Sequence, residues 1–210
     1  MTTTEQATYE PPSYVVEIGS QRVRLPLTRL SDDLTVALLM TIDRGVSFIS
    51  RAGADLAAAL AGRGIEVVAS AATLGIPVAL EVSRALGLDD YVILQKTPKA
   101  HLSDALAEPL TSITTGTPQR LLLDQARIGA VAGRRVAFVD DVIATGGSVA
   151  ASLRLLRAAG AEIVAVGALL TEAAAWRAAL GADADLVTAL GSIPIFRPTP
   201  AGDLVADWTG

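Results

Sequence analysis

The sequence predicts an α/β fold, an open and mainly parallel sheet flanked by helices. Three observations carry that expectation. From residue 65 onward, short apolar runs alternate with stretches of helical periodicity, the pattern of successive strand–helix–strand units. The run 163–170 is apolar almost without interruption, as a strand buried on both faces requires. Hydrophobic residues make up 51% and charged residues 19% of the 210, the balance of a packed domain rather than a disordered chain.

Residues 1–13 are polar and contain Pro11-Pro12, so they are expected to form a flexible tail, with 14–210 as a single domain. Gly19-Ser20 separates two short runs, 14–18 and 22–27, and predicts a hairpin. Ser31-Asp32-Asp33 predicts the cap of a helix through Leu34, Leu38 and Leu39. A second helix is expected from Ser47 through Ile49, Leu56 and Leu60, stopped by Gly62 and Gly64. The alternation then gives a strand at 65–69, a helix at 77–86 closed by Gly87, and strands at 91–94 and 135–139. Val149, Leu153 and Leu156 share one face of a helix that Gly160 ends. The strand at 163–170 follows, and 186–190 predicts a last one. The segment 96–124 breaks this rhythm with Thr, Ser, Gly and Pro throughout. Its halves 108–114 and 119–123 are expected to pair across Thr115-Gly116-Thr117-Pro118 as a mobile antiparallel loop, and excursions of this length often serve as lids.

Composition excludes several classes of function. Seventeen basic against 22 acidic residues leave a net charge of −5, which argues against nucleic acid or an acidic membrane as a partner. The absence of cysteine removes disulfides, zinc–thiolate sites and iron–sulfur clusters, and a single histidine, His101, removes any two-histidine metal site. The opening MTTTEQATYEPPSY lacks the basic and apolar regions of a secretory signal, and every apolar run is too short to span a bilayer. A cytoplasmic protein is the resulting expectation.

The strongest chemical signal lies in 135–148. Four apolar residues, Val136 to Val139, carry a strand into the core and deliver Asp140 and Asp141 at its C-terminal end, the edge where open α/β sheets bind ligands. Ala144-Thr145-Gly146-Gly147-Ser148 then leads directly into a helix. Two glycines let backbone N–H groups converge on an anion, the helix N-terminus adds its positive dipole end, and two hydroxyls donate further. A phosphate in the loop, with a polyol or metal on the acidic pair, is the reading this order supports; the plainer one is a turn whose aspartates cap a helix. No Gly-Lys-Ser/Thr follows and no G-x-G-x-x-G is present, so neither common nucleotide loop applies. Lysine use points the same way. Fifteen of the 17 basic residues are arginine, and the only lysines, Lys96 and Lys99, sit together at the start of the lid segment, where mobile point charges suit an anion that arrives and leaves.

The run Val139-Asp140-Asp141-Val142-Ile143-Ala144-Thr145-Gly146-Gly147-Ser148 resembles the phosphoribosyl-pyrophosphate (PRPP) signature of type I phosphoribosyltransferases. Ala71-Ala72-Thr73-Leu74-Gly75-Ile76-Pro77 is similar to that family's pyrophosphate loop. Gln95-Lys96-Thr97-Pro98-Lys99 is similar to the basic segment opening the mobile loop in adenine phosphoribosyltransferases and in the effector domain of the bacterial purine repressor. The resemblance covers roughly residues 34–197. It implies the type I fold, with a small hood subdomain drawn largely from 14–45 and the C-terminal end. It implies an enzyme that transfers the phosphoribosyl group of PRPP to a nitrogen base, a purine with adenine favoured, giving a nucleoside monophosphate and pyrophosphate.

By the same resemblance, Ala144, Thr145, Gly146, Gly147 and Ser148 hold the 5′-phosphate, and Asp140 and Asp141 engage the ribose hydroxyls. Ala71, Ala72 and Thr73 bind pyrophosphate together with Lys96 and Lys99; the two aspartates and two lysines are the catalytic set. Mg²⁺ is the implied cofactor, held mainly by PRPP with no direct protein ligand, and a homodimer is the implied assembly. Two departures stand out. Thr111-Ser112-Ile113-Thr114-Thr115-Gly116 carries threonine where adenine phosphoribosyltransferases place a glutamate, and Leu74 stands where a basic residue occurs in the purine repressor. A non-catalytic PRPP sensor is therefore the alternative function. Glu108 is a substitute proton acceptor to be weighed, Leu38 to Thr41 mark a candidate base pocket, and Glu172 is either a helix cap or a base-site carboxylate.

Overall fold

The computed structural model of the protein describes residues 12–97, 105–110 and 119–210. The chain enters as a hairpin, β1 (Ser13–Ile18) and β2 (Gln21–Arg29), closed at Gly19-Ser20 with Ile18 opposite Gln21. Gly19 turns at φ +57°, and the backbone N–H and hydroxyl of Ser20 both donate to Asp55, at 2.8 and 2.7 Å. The helix expected after Ser31-Asp32-Asp33 is not formed. That stretch is a tight turn, in which Arg29 pairs with Asp32 and the Ser31 hydroxyl donates to Asp33, leading into the strand β3 (Thr35–Ala37). All three residues of β3 are buried because the strand is gripped on both sides, by β2 and by a strand from the far end of the chain. That non-local pairing outweighs the local helical spacing of the leucines.

Helix α1 (Val46–Ala59) follows, then β4 (Val67–Ala71), α2 (Gly75–Leu86) and β5 (Tyr91–Leu94). A two-stranded ribbon, β6 (Leu106–Leu110) and β7 (Gln119–Leu123), pairs antiparallel with Leu106 opposite Leu123. Its base is anchored: Leu110, Leu121 and Leu123 are buried in the main core, and Glu108 pairs with Arg154. Then come β8 (Arg135–Ile143), α3 (Gly147–Ala158), β9 (Glu162–Glu172), α4 (Ala175–Leu180), β10 (Val187–Ala189) and β11 (Ser192–Ile193). The closing strands β12 (Ile195–Pro198) and β13 (Leu204–Asp207), like α4, were not indicated by the sequence pattern.

The strands form two main sheets. A parallel sheet runs in the order β10-β9-β8-β4-β5, with β11 extending the pairing along β9. Phe138, Val166, Leu153 and Leu156 lie in the core on its α3 side. Ala137, Val139, Leu56, Leu60, Val78 and Val82 lie in the core on the side of α1 and α2. The second sheet, β1-β2-β3-β12-β13, is antiparallel and adds Ile18, Leu25 and Phe196 to that same core. No helix among the described residues is long and apolar enough to cross a membrane.

Chain order reverses between β4 and β8: from β4 the path steps one way to β5 and later the other way to β8 and β9. Diverging connections leave a crevice at the C-terminal ends of two such strands. The fold therefore sets β4 and β8 on either side of a ready-made cleft.

Candidate active site

Strand β8 carries Asp140 and Asp141 to this edge and continues to Ile143, four residues beyond the apolar run that announced it. Pairing of Ala69 with Phe138 brings Ala71 level with Asp140, so the end of β4 and the acidic pair meet side by side. Asp140 is buried, at 9% exposure, and its Oδ1 accepts the Asp141 backbone N–H at 3.0 Å. Burial, reinforced by the Asp141 charge, pushes the Asp140 carboxyl well above the ordinary carboxylate range. Burial raises Asp141 as well. The Lys96 charge pulls both back toward ionisation, which puts this lysine within electrostatic reach of the pair. Lys96 itself is exposed, two residues beyond β5. Lys99 and His101 lie outside the described residues, as does the threonine-rich stretch 111–116.

After Ile143 the chain turns through Ala144 and Thr145 to Gly146, the N-cap of α3, which adopts a left-handed conformation with φ +79°. No side chain caps this helix, so the aspartates do not serve as its cap. The first N–H groups of any helix lack intrahelical acceptors and here face an open cleft. That cleft holds about 120 Å³ and is lined by Asp140, Val142 to Gly146, Ser148 and Val149. The Ser148 hydroxyl is buried there without a hydrogen-bond partner among the described residues. An orphaned hydroxyl at an uncapped helix N-terminus is a donor set for an anion.

The loop leaving β4 lies on the other side of the pair. The Ala72 N–H donates to the Leu94 carbonyl at 2.9 Å, the Ala72–Thr73 peptide is cis, and α2 starts at Gly75. Close approach is why residue 75 is glycine: a Cβ there would stand 2.7 Å from Asp140 Oδ1 and 2.1 Å from Ser70 Oγ. Ser70 is fully buried and its hydroxyl has no partner among the described residues. The Thr41 hydroxyl, 2% exposed, donates to the Leu74 carbonyl at 2.6 Å and ties this loop to the segment between β3 and α1. Replacing Thr41 by valine keeps the shape but leaves that carbonyl unpaired, at a cost of about 1–3 kcal/mol. Urea unfolding of Thr41→Val is expected to show the loss, with the midpoint shifted and the slope unchanged.

The structure therefore brings together Asp140, Asp141, the 144–148 loop, the 71–75 loop and Lys96. Glu108 is drawn away from the role considered for it, since Arg154 on α3 holds it. Glu172 is half-buried at the end of β9, with its carboxyl raised by desolvation, and does not cap α4, whose N-cap is Ala174. Sequence reasoning passed over Ser70, took Gly75 only as a member of the 71–77 loop, and took Thr41 only as the end of the 38–41 base-pocket candidate. A lone hydroxyl in the apolar strand Val67-Val68-Ala69-Ser70-Ala71 was the one available signal.

A family model described as the phosphoribosyl transferase domain matches residues 43–190. The chain belongs to this family. Among relatives of the chain, the adenine phosphoribosyltransferase of Mycobacterium avium (strain 104) is 31% identical over 173 residues, 82% of this chain and 81% of the relative. The adenine phosphoribosyltransferase of Mycobacteroides abscessus is 60% identical over a shorter match of 40 residues, 19% of this chain and 23% of the relative. The adenine phosphoribosyltransferase of Saccharomyces cerevisiae, solved with an imino-altritol bisphosphate and adenine, superposes with a TM-score of 0.61 at 20% identity, covering 79% of this chain and 93% of that one. At that identity the superposition shows a shared fold. The region matched by the family model contains both β4 and β8 and the loops that leave them.

Proposed function

We propose that the protein transfers the phosphoribosyl group of PRPP to a purine base, adenine foremost, releasing pyrophosphate and a nucleoside monophosphate. The observation that carries this reading is the orphaned Ser148 hydroxyl at the start of α3, in a cleft that the buried Asp140 also lines. In this reading Ala144 to Ser148 hold the 5′-phosphate through backbone N–H groups and hydroxyls. Asp140 and Asp141 accept hydrogen bonds from the ribose hydroxyls and fix the ring. Ala71, Ala72 and Thr73 receive the pyrophosphate across the cleft, and the antiparallel sheet acts as the hood that bears on the base.

Breaking the bond at the anomeric carbon leaves positive charge on the sugar and negative charge on the departing pyrophosphate. The work of the site is positioning and electrostatic stabilisation. Lys96, with Lys99 beyond the described segment, meets the leaving charge. The donor set suits magnesium carried in by the substrate. Two adjacent carboxylates are hard oxygen donors, and among the described residues no three acidic or histidine side chains converge to form a cage of their own. When bound, the metal neutralises the pyrophosphate oxygens. A homodimer in the cytoplasm completes the proposal.

The test is pyrophosphate release from PRPP and Mg²⁺ with adenine, hypoxanthine, guanine, xanthine, uracil and orotate, with PRPP binding followed by calorimetry on the same sample. Turnover with adenine is expected. Tight binding without turnover on any base would replace the enzyme with a sensor, and absence of binding would overturn the site. Lys96→Ala is expected to weaken pyrophosphate by about tenfold, or ~1.4 kcal/mol, while ribose 5-phosphate binds nearly as before. Equal losses for the two ligands would remove Lys96 from the pyrophosphate side.

A further inference from the structure

The short helix α4 lies directly on the loop assigned to the 5′-phosphate. A Cβ on Gly146 would stand 3.0 Å from both the Cα and the carbonyl oxygen of Trp176, and 3.1 Å from the Cβ of Ala179. Gly146 is thus fixed twice, by its left-handed φ of +79° and by the backbone of α4 filling the place a side chain would need. Trp176 is 4% exposed and belongs to the same core as Val149 and Leu153 of α3. The Arg177 guanidinium stacks on its ring, 4.4 Å from the centroid. Its indole N–H has no acceptor among the described residues. The anchoring of α4 therefore comes from the packing of the ring and not from its N–H.

We propose that Trp176 is a positioning residue for the 5′-phosphate: it anchors α4 against α3 and thereby holds Gly146, and the N–H groups that follow it, in the phosphate-binding conformation. This rests on the reading of 144–148 as the phosphate loop. The loop has no cap of its own, and one wall of its turn is the Trp176 main chain. Any shift of α4 therefore changes the direction of the N–H groups at the start of α3. The pyrophosphate side is built on β4 and α2 and does not share this support.

Two measurements test the assignment. The chain has only two tryptophans, and Trp208 is exposed, so Trp208→Phe leaves Trp176 as the sole indole. In that protein, saturating ribose 5-phosphate is expected to shift or quench the emission, and pyrophosphate to leave it unchanged. The second measurement compares Trp176→Phe and Trp176→Ala by calorimetry. The alanine variant is expected to bind ribose 5-phosphate about tenfold more weakly, phenylalanine to recover most of that loss, and pyrophosphate affinity to stay within about twofold in both. Should the alanine variant not fold, the emission experiment and the phenylalanine variant decide. Emission that ignores bound ribose 5-phosphate, or equal losses for both ligands, would overturn the positioning role alone. Failure of ribose 5-phosphate to bind the Trp208→Phe protein and the unaltered protein would overturn the phosphate loop itself.

Discussion

Replacing Asp140 and Asp141 together by asparagine is expected to abolish PRPP binding and at the same time to make the protein more stable at neutral pH. Each carboxylate stands to lose a charge-assisted hydrogen bond to a ribose hydroxyl, worth about 1.5–3 kcal/mol, so affinity should fall by roughly a hundredfold or more. The stability change has the opposite sign because of burial. Both carboxyls are raised above their ordinary value of 3.8 in the folded chain, Asp140 strongly, chiefly through desolvation. Below the unfolded value both states are protonated and the pair contributes nothing. As pH rises through the window between the unfolded and folded values, the unfolded chain releases protons that the folded chain retains, and stability falls. Asparagine removes that penalty and still offers an oxygen to the 141 backbone N–H that Asp140 now accepts.

The double variant should therefore melt several degrees higher at pH 7, at about 2–4 °C per kcal/mol for a chain of this size, and lose its advantage near pH 3. Calorimetric titration with PRPP and melting curves across pH check the two halves separately. Unchanged PRPP affinity in the folded variant would refute the central assignment.

Gly75→Ala should be nearly as damaging, although the residue has no functional group. The new methyl would stand 2.1 Å from Ser70 Oγ and 2.7 Å from Asp140 Oδ1. Neither neighbour is free to retreat, since Ser70 is fully buried in β4 and Asp140 is buried in β8. Overpacking of this kind costs about 1–3 kcal/mol, read as a lower denaturation midpoint. The displaced Asp140 carboxylate should lower kcat/KM for PRPP by about a hundredfold. Adding Ser70→Ala relieves one contact and is expected to restore part of the stability while leaving activity low, because the methyl still meets Asp140. Wild-type kcat/KM in Gly75→Ala would show that the geometry of Asp140 does not govern the reaction.

The two substitutions mark the boundary of what residue patterns reveal. Asp140, Asp141 and the Thr145-Gly146-Gly147-Ser148 loop were legible because the chemistry is local: strand, acids, loop and helix follow one another within 14 residues. Gly75 read only as one residue of a loop, since the atom that excludes a side chain there belongs to a strand 65 positions later. Trp176 was invisible for the same reason, lying in an alanine-rich stretch whose contact with Gly146 exists only in three dimensions. The misplaced helix at 31–39 is the converse case. Leu34, Leu38 and Leu39 keep a helical spacing, but β3 pairs with β2 through Leu27 and Ala37 and with β12 through Val36 and Ile195. No window around residue 36 contains residue 195.

By itself, the sequence determined the alternation that makes a parallel sheet, the acidic pair at the end of a core strand, and the glycine-bearing turn that leads from it into a helix. Each depends on neighbours along the chain, through backbone propensity, hydrophobic period or helix-end electrostatics. Only the tertiary structure decided that β4 and β8 flank the point where chain order reverses, which makes a cleft of two separate loops. It alone decided that burial raises the acidic pair, and that β12 and β13 return to complete the antiparallel sheet. Those outcomes depend on desolvation and on contacts between residues far apart in the chain, which no local pattern encodes.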